Sequence, residues 1–145
     1  QVTEFPKRVE PEEPFENSNP REVNGRELYQ SDILLTDEQI NILKDRKARA
    51  DLAYRWTEGE DGYPVVPYTF IDMFSADEHT IIQESLDSWM EHTCIRFVET
   101  TNFTKPYVKF YNGTGTGSNG CWARLGMIYH WTEGQELNLG PRCVT

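Results

Sequence analysis

Long apolar runs are missing from this 145-residue chain, and cysteine, methionine and histidine are scarce, at three of each. With no stretch apolar enough for a bilayer, no membrane span is expected. Basic residues are few: 14 Lys and Arg stand against 24 Asp and Glu, for a formal net charge of −10. That balance repels nucleic acid and anionic membrane surfaces, so neither is an expected partner. His79, His92 and His130 are scattered. No two have the i, i+4 spacing that sets two imidazoles on one helix face for a metal. Ser and His occur without a nucleophile elbow. Asn112–Gly120 reads as a long flexible turn; its glycine-rich run Thr114–Gly120 feeds no helix and lacks the Lys-Ser/Thr of a phosphate loop. Taken alone, the residues offer no complete catalytic constellation.

What is present is one strong unit, Pro64 to Val98. Val65, Val66, Tyr68 and Phe70 suit a buried strand. Ser75 and Glu78 form a capping box that starts a helix. Ile82, Leu86, Trp89 and Met90 then make an apolar stripe that packs on a sheet. Ile95, Phe97 and Val98 resume β character. A strand–helix–strand of this length predicts parallel strands. His79 and His92 fall on the helix's polar side or end and read as solvated.

On either side the signals differ. Glu10, Glu12, Glu13 and Glu16 lie among Pro6, Pro11, Pro14 and Pro20, so residues 1–27 read as an acidic, disordered leader. Leu28–Leu35 is a short apolar segment with one acid, Asp32. Thr36 and Gln39 then offer a second capping box, with Leu35 and Ile40 placed for a hydrophobic staple. The bases Lys44, Arg46, Lys47 and Arg49 suit a helix C-terminus, and their position at a change of composition also suits a processing site. Downstream, Tyr107–Tyr111 alternates as a strand, Cys121–Gly126 and Met127–His130 read as an edge segment, and Gln135–Leu139 as a last strand before Gly140-Pro141. Trp122 and Trp131 read as core or edge aromatics.

Asn102-Phe-Thr104 and Asn112-Gly-Thr114 are glycosylation sequons in turn-rich settings. With the dibasic cluster they predict a secreted, extracellular glycoprotein. An odd number of cysteines, Cys94, Cys121 and Cys143, then implies a partner outside the visible chain. The start at Gln1 without a signal peptide predicts a trimmed chain or a fragment.

The order Arg55-Trp56, Val66-Pro-Tyr-Thr-Phe70, Thr93-Cys-Ile-Arg-Phe97, Gly120-Cys-Trp122 and Gly126 resembles the N-terminal half of an astacin-family zinc metalloendopeptidase. Tyr29-Gln-Ser-Asp-Ile33 is similar to that family's pro-segment motif, Phe-x-Gly-Asp, with Tyr29 for Phe and Ser31 for Gly. The resemblance implies an α+β fold: a zincin-like N-terminal subdomain, a twisted mixed sheet with a long packed helix. Residues 28–49 would be the pro-segment and residues 50–145 an incomplete metallopeptidase domain. Zinc would be the cofactor, held by a His-Glu-x-x-His-x-x-Gly-x-x-His helix expected just after Cys143, whereas this sequence stops at Thr145.

Residue by residue, Asp32 would occupy the fourth zinc position in a zymogen. Read alone, a lone Asp beside a helix start is a turn or cap residue. Arg49–Ala50 would be the bond cut by an activating protease. Cys121 would pair with Cys143, and Cys94 with a cysteine outside the chain. Cys121, Trp122, Ala123 and Arg124 would form the edge strand that binds a protein or peptide substrate in extended form. Without its zinc helix the chain alone is expected to be inactive. The rival reading is a catalytically inactive secreted binding or regulatory glycoprotein.

Overall fold

The computed structural model describes residues 19–44 and 55–145. Strand β1 (Glu22–Val23) turns back into β2 (Arg26–Glu27) as a small antiparallel hairpin. Its turn is Asn24-Gly25, at φ 54° and 74°. A two-residue turn with both φ positive matches the twist of a hairpin, and Asn-Gly reaches that backbone at least cost. This corrects the expected leader: residues 19–27 are folded, and Val23 is buried.

Strand β3 (Ile33–Leu34) follows a three-residue bend, and helix α1 (Asp37–Lys44) follows β3. The capping box of α1 forms as its residue types dictate. Gln39 N donates to Thr36 Oγ1 at 3.2 Å, and Thr36 N donates to Gln39 Oε1 at 3.0 Å.

The central unit is strand β4 (Val65–Phe70), helix α2 (Ala76–His92) and strand β5 (Arg96–Glu99). Ser75 and Glu78 close the capping box of α2 in both directions. β4 and β5 are parallel, as a helical crossover requires. Strands β6 (Val108–Tyr111), β7 (Cys121–Arg124) and β8 (Gln135–Leu139) complete a six-stranded sheet in the order β3-β7-β8-β6-β4-β5. β7 and β8 are antiparallel, and every other neighbouring pair is parallel. The fold is therefore α+β with a mixed sheet.

The main core lies between α2 and one face of the sheet. Ile82 and Leu86 from α2 meet Val66, Tyr68, Val108 and Phe110 from β4 and β6, with Phe74 at the helix entrance. Edge-to-face rings hold the centre, with Tyr68 and Phe110 centroids 5.6 Å apart. Burying each such side chain stabilises the fold by about 1.5–3 kcal/mol.

Three local expectations change. Trp89 extends the α2 stripe but is 56% exposed; it lines an open groove with Ile81, Phe97 and Val144 instead of closing the core. His79 is exposed, as expected, and its ring also meets Phe70 edge-on at 4.5 Å. Met127–His130 forms no strand. Ile128 is fully buried, and its N–H is taken by the Gln135 side chain at 3.0 Å rather than by a neighbouring strand.

The loop 112–120 is pinned, not flexible. Asp72 Oδ2 accepts from Asn112 N at 2.9 Å and Gly115 N at 3.0 Å, while Thr116 Oγ1 donates to Asn138 Oδ1 at 2.7 Å. Several fixed partners leave a glycine-rich loop little freedom.

Candidate functional site

The expected substrate edge, Cys121–Arg124, is strand β7, but it is not a free edge. An unpaired strand presents a row of N–H and C=O groups that take any extended partner. Here residues 19–44 cover that row by three devices.

At the first end a side chain stands in for a strand. Asn19 Nδ2 donates to Cys121 O at 2.6 Å, and Cys121 N donates to Asn19 Oδ1 at 2.7 Å. Asn19 Nδ2 also reaches Ser31 O at 2.9 Å, which ties the approach of β3 to the same point. Gly120 makes the approach possible, since a Cβ there would collide with Pro20 Cδ. In the middle, β3 pairs parallel to β7, Ile33 beside Ala123 and Leu34 beside Arg124, and Ala123 N donates to Asp32 O at 3.0 Å. At the far end Gln39, 1% exposed, donates from Nε2 to Leu125 O at 2.9 Å while its Oε1 serves the α1 cap.

A second hydrophobic cluster seals this cover: Val23, Leu28, Leu34 and Trp122. Trp122 is 3% exposed, and its indole N–H donates to Ser118 Oγ at 3.1 Å. Two residues along the same face, Arg124 pairs with Glu136 at 3.0 Å and stacks over the Trp131 ring at 4.7 Å. Arg26 pairs with Asp37 at 2.7 Å.

Asp32 sits in the bend before β3. Gln30 and Ser31 have φ of 50° and 69°, the left-handed region where glycine is favoured. Ser31 holds that conformation with a side chain in place. The Asp32 side chain is exposed and has no hydrogen-bond or ionic partner among the described residues. It caps nothing; Thr36 is the cap of α1.

Cys121 and Cys143 are joined by a disulfide with Cα atoms 5.6 Å apart, and Cys94 is free and exposed. The Arg49–Ala50 bond lies outside the described residues. The two sequons differ. Asn102 is exposed, and its Oδ1 accepts from Thr104 N and Oγ1 at 3.1 and 2.6 Å. Asn112 is half-buried, with Nδ2 donating to Met73 O at 2.9 Å. Tyr68, in the main core, titrates above its ordinary 10.0, through burial first and then the charges of Glu99 and Asp87.

No group of three His, Cys, Asp or Glu side chains converges to hold a metal among the described residues. No described helix is long and apolar enough to cross a membrane.

Two contributors carried little or no signal for their role. Asn19 reaches a partner 102 residues away, and no local pattern encodes that. Gln39 was readable as a cap but not as the donor to Leu125. Val23 was missed with the expected leader, although Asn24-Gly25 is a hairpin signal that could have found it.

A sheet edge covered by an extended stretch of its own chain suits a strand that takes peptides, and comparison with known proteins defines the class. The Astacin peptidase family profile matches residues 49–145. The chain belongs to the astacin family. Protein SpAN of Strongylocentrotus purpuratus is 29% identical over 132 residues, which cover 79% of this chain and 19% of that protein. Zinc metalloproteinase nas-27 of Caenorhabditis elegans is 29% identical over 133 residues, covering 88% of this chain and 27% of that protein. High choriolytic enzyme 1, a hatching enzyme zinc-protease from Oryzias latipes, superposes with a TM-score of 0.52 at 26% identity, covering 63% of this chain and 42% of that one. The chain thus spans about a fifth of SpAN and of Blastula protease 10 from Paracentrotus lividus, at 19% and 20% of their lengths.

Proposed function

We propose that the chain is the pro-segment and N-terminal part of the catalytic domain of a secreted zinc metalloendopeptidase zymogen. Its substrates are proteins or peptides held extended along β7. The observation that carries this reading is the cover itself: Asn19, β3 and Gln39 occupy outward backbone groups from Cys121 to Leu125. A segment that pairs with β7 as a peptide would must leave before a peptide can take its place.

The described residues do not form a zinc site by themselves, so no step is derived through the metal. Within this reading Asp32 is the blocking carboxylate of the zymogen, and its exposed, unpartnered side chain supports that role over a helix cap. An activating protease cuts Arg49–Ala50. The disulfide supports an oxidising compartment. Asn102 and Asn112 are the proposed glycosylation sites, and Cys94 pairs outside the described residues.

The test uses the full-length protein from a secretory host. Hydrolysis of a quenched peptide is followed before and after cleavage within residues 46–49, with and without a zinc chelator. Chelator-sensitive hydrolysis that appears only after the cut is expected. A completely processed, folded protein without it overturns the reading. Asp32→Ala sharpens the result: the uncut zymogen should hydrolyse a small substrate faster than its parent.

A further inference from the structure

The Trp122 cluster has an unusual membership. Val23, Leu28 and Leu34 come from three separate stretches before residue 45, and Trp122 alone comes from the rest of the chain. The main core contains no residue from 19–44. Loss of the pro-segment therefore leaves the main core intact and strips the apolar cover from one indole. That indole does not depend on the cover for its orientation. Ser118 fixes its N–H, and the disulfide at Cys121 holds the adjacent backbone.

From this we infer that Trp122 is an aliphatic subsite of the β7 edge: after the pro-segment leaves, it receives a leucine-like side chain of an extended peptide. The inference rests on reading β7 as the substrate strand, and adds the kind of residue that strand selects. Strand geometry directs the contact. Side chains alternate between faces, so Trp122 and Arg124 share one face, and Leu34, beside Arg124, is presented to it. Leu34 is 1% exposed there, a measure of how completely one aliphatic side chain fills the place.

Charge does not compete for this place. Arg124, the cation on the same face, is already paired with Glu136 and stacked on Trp131. An acidic side chain would be desolvated against the indole, and the cation on that face of the strand is already engaged. An aliphatic one gains burial and nothing else is asked of it.

The test takes the full-length protein with its pro-segment removed. The probe is a fluorescent peptide carrying the sequence of residues 19–44, followed by anisotropy. Leu34→Ala in the peptide is expected to weaken binding to the unmutated protein about tenfold or more, and Leu34→Asp further, while Leu34→Ile is tolerated. On Trp122→Ala protein the Leu34→Ala penalty should shrink to about threefold or less, because the coupled partner is gone. Trp122→Phe, a gentler change, should leave an intermediate penalty should Trp122→Ala not fold. Substrate peptides differing only in Leu against Asp at successive positions give a second readout. At one position the kcat/KM ratio should favour Leu about tenfold or more, and the Trp122 variants should lower that ratio.

Equal Leu34→Ala penalties on both proteins, or Leu34→Asp tolerated like Leu34→Ile, overturns the inference. So does a Leu preference unchanged by the Trp122 variants. Coupled peptide binding by a processed protein that hydrolyses nothing supports the subsite and removes the peptidase reading instead.

Discussion

The core beneath α2 and the smaller core on Trp122 are held together by different kinds of contact. The first joins six-residue β4, 17-residue α2 and four-residue β6 through periodic apolar faces. The second brings the two-residue strands β1 and β3, with Leu28 between them, onto Trp122 of β7; there the ladder contributes little and side-chain amides do what a longer strand would do. A core of regular elements unfolds as one unit, whereas a cover of separate clasps can leave while the sheet remains. The difference suits the proposed division into a domain that persists and a segment that departs.

The largest expected effect sets the two cores against each other. Phe110→Ala should cost about 3–5 kcal/mol and lower the denaturation midpoint of the whole domain. Leu34→Ala, although equally buried, should expose residues 19–44 to hydrogen exchange without moving that midpoint. A midpoint shift as large as that of Phe110→Ala would show that the two cores form one cooperative unit.

Next comes the disulfide, which braces β7 from within the domain. It closes a separation of 22 residues, so Cys143→Ser should cost about 3 kcal/mol by loop entropy, read by urea titration. Because Cys121 also carries the Asn19 pair, the change should speed exchange at Cys121 N–H as well.

A middle effect tests a single clasp. Gln39→Ala removes one half of the α1 cap and leaves the Leu125 carbonyl without its donor, for about 1–3 kcal/mol. Faster cutting within α1 by a nonspecific protease reads it, and an unchanged rate would show that the cover does not rely on this end. The smallest effect has the opposite sign. Ser31→Gly relieves a left-handed backbone at φ 69° and should slow exchange in residues 29–33, by up to about 1 kcal/mol.

The same contrast explains what could be read in advance. The central unit was legible because each signal is local: Ser75 and Glu78 lie one helical turn apart, and Val65–Phe70 declares itself by residue type. β8 was found with its observed bounds, stopped by Gly140-Pro141. Met127–His130 misled, because apolarity marks burial, and the buried Ile128 has its N–H satisfied by a side-chain amide rather than by a strand partner. The flexible reading of residues 112–120 failed because the anchors, Asp72 and Asn138, are about 20 to 40 residues distant. At the site, Cys121–Arg124 was placed correctly as a strand by family likeness. That it is covered rests on Asn19 and Gln39, whose contacts have no signature in the chain around them.

Covering β7 by clasps spaced along residues 19–44 also bears on the timing of the proposed activation. A cut within residues 46–49 breaks none of the bonds made by Asn19, β3 or Gln39; it ends a covalent tether. Before the cut, a clasp that opens recloses at an effective concentration of order mM, as for short linked partners. Afterwards the liberated segment must be recaptured from bulk solution. Scission and unmasking are then separate events, with a lag between them. The lag itself is set by how fast the clasps let go, and dilution decides whether the segment returns.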